Sequence, residues 1–218
     1  MEKVITISEA ISKVEDGAVI MFGGFMGNGS AHKLIDALVE KNVQDLTIIC
    51  NDAGLEEYGV GKLVVNKQCK KVIATHIGLN REMGRQMSAG ETEVDLVPQG
   101  TLVEQIRAHG YGLGGFLTKT GVGTLVEEGK EKIRVNGVVY LLEKPLKADL
   151  AIIAGTVVDK LGNISYRGSV NNFNHVMASA ADVTIVEADQ VVEIGELDQD
   201  AVSTPGVFVN YVVDGGAS

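Results

Sequence analysis

The sequence predicts an α/β fold, an open and mainly parallel sheet flanked by helices, and three observations lead there. Wholly apolar runs of about five residues recur, such as Ala18-Val19-Ile20-Met21-Phe22. A strand without polar alternation is one covered on both faces, as parallel strands are. Between these runs, apolar residues recur at helical spacing. Finally, the 218 residues hold 27 glycines against 3 prolines. Neither a serine-rich linker nor a collagen-like period accommodates them, so they serve tight turns and close backbone approaches inside a folded chain.

The elements follow in order. Thr6-Ile7-Ser8-Glu9 has the form of a capping box, and Ile7, Ala10, Ile11 and Val14 continue a helical stripe. Asp16-Gly17 turns the chain into the strand Ala18 to Phe22. A glycine loop follows, then Ser30 as the expected N-cap of a helix carrying Leu34, Ile35, Leu38 and Val39. The alternation repeats. Strands are expected at Leu46 to Cys50, Lys71 to Thr75 and Val94 to Val97, with a helix or turn at Gly61 to Val65 and helices near Arg81 to Met87 and from Thr101 onward. Asn136-Gly137 between two β-rich runs is a strong hairpin signal, and residues of about 112–147 are expected to project as loops and a hairpin from one domain spanning 1–218. Strands resume at Leu150 to Ala154, Val183 to Glu187 and Val207 to Val213, with a helix over Asn171 to Ala181. No internal repeat is expected.

Composition narrows the function. The formal charge is −10 and no basic stripe occurs, which argues against nucleic-acid binding. No apolar run reaches the roughly 18 residues of a membrane span, and the start, Met1-Glu2-Lys3, lacks a signal-peptide core. The two cysteines, Cys50 and Cys69, are too few for a disulfide framework or a zinc site. Cys50 closes an apolar run and reads as a buried thiol. The expected compartment is cytoplasmic.

Gly23-Gly24-Phe25-Met26-Gly27-Asn28-Gly29-Ser30 lies between a strand and a helix. Ligands bind at the carboxyl ends of strands in open α/β sheets, so this loop is the first candidate contact. Gly110, Gly112 and Gly115 spell a G-x-G-x-x-G, but a helix precedes them where a dinucleotide site requires a strand. No phosphate-binding GxxxxGK[ST] and no G-x-S-x-G occurs. Asn51-Asp52 and Gln99 follow strand ends, and the neutral amides of Asn51 and Gln99 suit hydrogen bonding to a developing oxyanion. His32, His76, His109 and His175 have no metal-ligand spacing, so no metal site is expected. The chain therefore shows binding loops without a catalytic nucleophile.

The segment Asp16 to Gly29 resembles the signature of family I coenzyme A transferases, α subunit. Ser88-Ala89-Gly90-Glu91, Pro98-Gln99-Gly100-Thr101-Leu102, Thr118 to Thr124, Gly162-Asn163, Asn172-Phe173-Asn174 and Thr204-Pro205-Gly206 continue the match in order over nearly the whole chain. The resemblance implies a subunit of an enzyme that moves CoA between a short-chain acyl-CoA (acetyl-, butyryl- or acetoacetyl-CoA) and a free carboxylate. It implies a β subunit that carries the nucleophilic glutamate, an α2β2 or larger assembly, and CoA as substrate with no permanently bound cofactor. It assigns Gln99 and Asn51 to oxyanion support, and Gly24, Phe25, Met26, Gly27, Asn28, Gly29 and Ser30 to CoA contact. The second glycine cluster, Gly110 to Gly115, is expected as another wall of the site. Ala31 and His175 stand where relatives commonly have proline, and Asp52 stands at an asparagine position. An ionised Asp52 disfavours an adjacent oxyanion, so it is not assigned as a donor. A small-anion binding module and a sugar-phosphate isomerase-like enzyme are the alternatives of the same fold class.

Overall fold

The computed structural model describes residues 3–216. Twelve strands and six α-helices follow one another as β1 (Val4–Ile5), α1 (Ile7–Ser12), β2 (Val19–Phe22), α2 (His32–Lys41), β3 (Leu46–Asp52), α3 (Gly61–Val65), β4 (Cys69–His76), α4 (Arg81–Ala89), β5 (Glu93–Leu96) and α5 (Gln99–Gly110). Then come β6 (Phe116–Thr118), β7 (Lys132–Val135), β8 (Val138–Glu143), β9 (Ala148–Asp159), β10 (Ile164–Ser165), α6 (Asn174–Met177), β11 (Ala181–Val192) and β12 (Tyr211–Asp214). The main sheet has the order β1-β12-β11-β9-β2-β3-β4-β5 with β10 beside β9. Every pairing along that path is parallel, and only β10 runs antiparallel.

The apolar runs sort by twos onto the two faces of this sheet, as the side-chain alternation of a strand requires. Ile20 and Phe22, Ile48 and Cys50, and Leu150 and Ile152 pack with Ile11 of α1, Leu34 and Leu38 of α2, Leu63 of α3 and Met83 of α4. Met21, Ile49, Ala151, Ile153 and Val186 pack on the other face with Leu102 and Ile106 of α5 and Val176 and Met177 of α6. Both faces are thus covered, which is why the strands read as continuous apolar runs.

Several local signals act as their chemistry dictates. Thr6 and Glu9 form the reciprocal capping box at α1, with Glu9 N–H donating to Thr6 Oγ1 and Thr6 N–H to Glu9 Oε2. Asn136 and Gly137 have φ of 48° and 80°, the pair of positive values a two-residue hairpin turn demands, and join β7 to β8. With β6 these strands form a separate antiparallel sheet of order β6-β8-β7.

Four expectations change. Ser30 does not cap α2, whose N-cap is Ala31 without a side-chain bond. Glu187 on β11 does that work instead, accepting from Lys33 N–H at 3.2 Å and Leu34 N–H at 2.8 Å. The fifth helix begins at Gln99 after Pro98, not at Thr101. The helix expected over Asn171 to Ala181 reduces to a 3₁₀ turn at Gly168–Asn171 and the single turn of α6, because Asn172 and Asn174 commit their side chains to tertiary partners and Ala181 already belongs to β11. The strand expected from Val207 starts only at Tyr211, since Pro205 leads into a 3₁₀ turn that leaves Val207 exposed.

Candidate active site

From β2 the chain steps through β3, β4 and β5 in one direction, whereas from β9 it steps through β11 and β12 in the other. The order reverses between β2 and β9, and a crevice opens beyond their carboxyl ends where such sheets take ligands. Gly23 continues β2 into this crevice, its N–H donating to Ile152 O at 3.2 Å. Asn174, fully buried, plugs the floor. Its Oδ1 accepts from Ala154 N–H at 3.0 Å, and its Nδ2 donates to Gly29 O at 2.9 Å and Val170 O at 2.6 Å. A Cβ on Gly23 would lie 1.6 Å from Asn174 Oδ1, so this position requires glycine.

The loop itself is a tight hairpin closed by Phe25 and Asn28, each N–H donating to the other's carbonyl. Phe25, Met26 and Asn28 are exposed at its tip, while Gly24, Gly27 and Ser30 are buried. The glycines face protein: Gly24 is filled by Ser30 and Gly27 by the Tyr58 ring. The Ser30 hydroxyl donates to Gly23 O at 3.2 Å. Of the stretch 24–30, then, the side chains open to a ligand are those of the tip.

The same device recurs 30 residues later, where Leu55 and Tyr58 close an equivalent hairpin after β3. This local repeat was not expected, because only Gly24/Gly54 and Gly29/Gly59 match between the two hairpins. Asp52 ties both loops together, its Oδ1 accepting from Gly54 N–H at 2.8 Å and its Oδ2 from Met26 N–H at 2.9 Å. His32 contacts Gly27 O through Nε2 at 2.9 Å and stacks on Tyr58 with ring centroids 4.2 Å apart. Burial holds the imidazole below its ordinary pKa, against the raising effect of the Gly27 carbonyl.

Deeper along the same edge lies a row of amides. Asn51, 1% exposed near the end of β3, accepts at Oδ1 from Gln99 Nε2 at 2.9 Å and donates from Nδ2 to Asn172 Oδ1 at 3.2 Å. The Thr75 hydroxyl braces it, donating to Asn51 O at 2.7 Å with Oδ1 at 3.1 Å. Gln99 is exposed and occupies the first position of α5, whose N-terminus has no side-chain cap. A Cβ on Gly100 would meet nothing within 4 Å, so the positive end of the helix opens beside the Gln99 amide. The structure brings the expected Asn51 and Gln99 into contact and joins to them Asn172 and Thr75, which sequence reasoning did not single out for the site, while Asp52 links the two loops. Asn172-Phe173-Asn174 stood out as a matching motif without an assigned role.

The second glycine cluster is elsewhere. Gly110 ends α5, about 16 Å along the helix from Gln99. It packs against Ser179 beside the first residues of β9 and β11, at the amino edge of the sheet, and forms no wall of this crevice. Neither thiol offers a nucleophile, although Cys50 directly precedes Asn51 on β3: burial pushes both up, Cys69 to about 12. Among the described residues no group of His, Cys, Asp and Glu is placed to hold a metal, and no helix is long and apolar enough to cross a membrane. What the edge offers is neutral hydrogen-bond donors, a helix N-terminus and an exposed loop tip.

Residues 4–215 match the family model described as coenzyme A transferase. The chain belongs to the coenzyme A transferase family. It is 52% identical over 211 residues to the acetate CoA-transferase subunit alpha of Escherichia coli K12, covering 97% of this chain and 96% of that one. It is equally 52% identical to the acetoacetyl-CoA:acetate/butyrate CoA transferase alpha subunit of Clostridium acetobutylicum, with 97% of each covered. Glutaconate coenzyme A-transferase from Acidaminococcus fermentans has the same fold, with a TM-score of 0.87 at 20% identity over 98% of this chain and 76% of that one. An acyl-CoA transferase of Escherichia coli O157:H7 also shares it (TM-score 0.87, 21% identity, 97% of this chain), and there the chain spans only 46% of the longer polypeptide. The chain is accordingly an α-type CoA-transferase chain, like its Escherichia coli K12 and Clostridium acetobutylicum relatives, which are named as alpha subunits.

Proposed function

We propose that this chain builds the non-nucleophilic half of a CoA-transferase active site for short-chain acids, completed by a β subunit that carries the reacting glutamate. The observation that carries this reading is the Gln99 amide, exposed at the carboxyl edge and held by the buried Asn51. The nearest carboxylate of that row, Asp52, is spent on two backbone N–H groups, which leaves the amide row with donors and no free carboxylate of its own. The chemistry follows from that division. The partner's glutamate carboxylate attacks the thioester carbonyl, and the carbonyl electron pair moves onto oxygen. That oxyanion collapses with the C–S bond breaking, giving an acyl-glutamyl anhydride and CoA thiolate. The thiolate then attacks the glutamyl carbonyl of the anhydride, releases the carboxylate and leaves a glutamyl-CoA thioester, from which a second acid takes CoA by the reverse steps.

Each step charges a carbonyl oxygen, and pre-oriented neutral amides stabilise it without reorganisation. Gln99 donates there with its second N–H, supported by Asn51 and the open end of α5. The backbone of Gly24 to Ser30 with the tip residues Phe25, Met26 and Asn28 faces CoA. Acetyl, butyryl or acetoacetyl groups are the acyl class that the α-subunit relatives' substrates support, in an α2β2 or larger assembly. CoA binds as a substrate rather than a resident cofactor. The cytoplasm suits the two reduced, buried thiols.

Borohydride trapping of the co-purified enzyme after acyl-CoA addition is expected to mark the partner chain, read by mass spectrometry. Gln99→Ala is expected to lower kcat about 100-fold, the scale of losing one oxyanion donor, while the partner still co-purifies. A mark on this chain, or an unchanged kcat in Gln99→Ala, overturns the reading.

A further inference from the structure

The amides at the carboxyl edge are not equivalent, and the direction of their hydrogen bonds ranks them. Gln99 donates to Asn51 Oδ1, and Asn51 donates to Asn172 Oδ1. Asn172 Oδ1 accepts a second bond from Phe173 N–H at 2.7 Å. A backbone N–H only donates, so this bond fixes which way the Asn172 amide faces. Asn172 Nδ2 is left as the terminal donor of the row, on a residue that is partly exposed, and makes no hydrogen bond within the described chain.

In a chain of amides each acceptance at oxygen polarises the N–H beyond it, so the bonds strengthen one another toward the donor end. Two acceptances at Asn172 Oδ1 therefore sharpen Nδ2 as a donor. Asn51, by contrast, is 1% exposed and has its oxygen and one N–H committed. We infer that Asn172 is a further catalytic residue, whose Nδ2 donates to the substrate carbonyl oxygen as negative charge develops, and that Asn51 acts as a positioning residue holding Asn172 and Gln99 together. The inference rests on the reading that Gln99 lies at the reacting carbonyl.

The test uses the enzyme co-purified with its partner subunit and two variants. Asn172→Ala removes the donor without adding charge. Asn172→Asp keeps an oxygen for Asn51 Nδ2 and Phe173 N–H, and so keeps the packing while losing the donor. Both are expected to lower kcat by 30-fold or more with KM for acyl-CoA within threefold of the parent, and Asn172→Asp is expected to keep its Tm. Either variant with kcat within threefold of the parent overturns the inference, and so does a loss expressed in KM alone. A loss in Asn172→Ala that Asn172→Asp restores assigns Asn172 a packing role and overturns it equally. Gln99→Ala, run alongside, reports separately on the underlying reading: an unchanged kcat there beside impaired Asn172 variants overturns the role of Gln99 and supports Asn172 as the donor, whereas loss in Gln99→Ala beside an unimpaired Asn172→Ala overturns the inference alone.

Discussion

Asn174 joins three segments that are far apart in sequence: the strand β9 through Ala154, the glycine loop through Gly29 and the 3₁₀ turn through Val170. Removing its side chain strands one buried N–H and two part-buried carbonyls, and a buried unsatisfied group costs about 1–3 kcal/mol. Asn174→Ala is therefore expected to destabilise the chain by roughly 3 kcal/mol or more, about 6–12 °C in Tm for a protein of this size. Gly23→Ala should do the same from the opposite side of the contact, because its Cβ would meet Asn174 Oδ1 at 1.6 Å. Gly78→Ala, where a Cβ meets nothing within 4 Å, should leave Tm unchanged. Differential scanning of the three checks the argument, and a Gly23→Ala protein as stable as Gly78→Ala would refute it. At the same scale, His32 has its pKa lowered chiefly by burial. Its contribution to stability is complete above the ordinary value of 6.5 and is lost as pH falls through the lowered value. An NMR titration should place its midpoint below 6.5, and a midpoint at or above 6.5 would contradict the burial of the ring against Gly27 and Tyr58.

Elements whose cause is local were readable from the sequence, and those whose cause is distant were not. The capping box at α1 and the Asn136-Gly137 hairpin each lie within a few residues, and the structure has both. The Ser30 cap failed because α2 is capped across the sheet by Glu187, which lies 153 residues beyond Leu34. Asn51 and Gln99 were found from their place after strands, yet their hydrogen bond spans 48 residues. Asn172 stands 121 residues from the Asn51 that orients it. No periodicity encodes such pairs. The Glu187 cap also has a pH signature. Burial raises its carboxyl pKa above 4.5, outweighing the two N–H bonds that lower it. The folded state thus holds this proton more tightly than the unfolded chain. The associated stability is present below 4.5 and is lost as pH rises through the raised value. Urea melts between pH 4 and 7 should show Glu187→Gln gaining on the parent as pH rises, and a pH-independent difference would remove the buried carboxylate from the account.

At the scale of the whole molecule, everything assigned to the site leaves one edge of one sheet: the first loop from β2, Asn51 and the second loop from β3, Gln99 beyond β5, and Asn172 between β9 and β11. That edge also exposes Phe25, Met26, Leu55, Tyr58 and Leu79 beside the charged Glu56, Glu57 and Arg81, a mixed rim rich in the aromatic, Met and Arg side chains that are enriched at interfaces. On the proposed function, the partner subunit must come to within bonding distance of Gln99, so the rim is where it should close. Met26 and Leu55 are 44% and 37% exposed on the two hairpins, so a longer charged side chain at either position can reach solvent without entering the core. Met26→Glu with Leu55→Glu should therefore preserve the Tm of the chain, yet abolish co-elution of the partner in size-exclusion chromatography and with it CoA transfer. Leu125→Glu, exposed near the small sheet remote from the crevice, is the matched control and should keep both. If the rim variant retained its partner and the Leu125 variant lost it, the subunits would meet across the small sheet, and the amides of this edge could not then face the partner's glutamate.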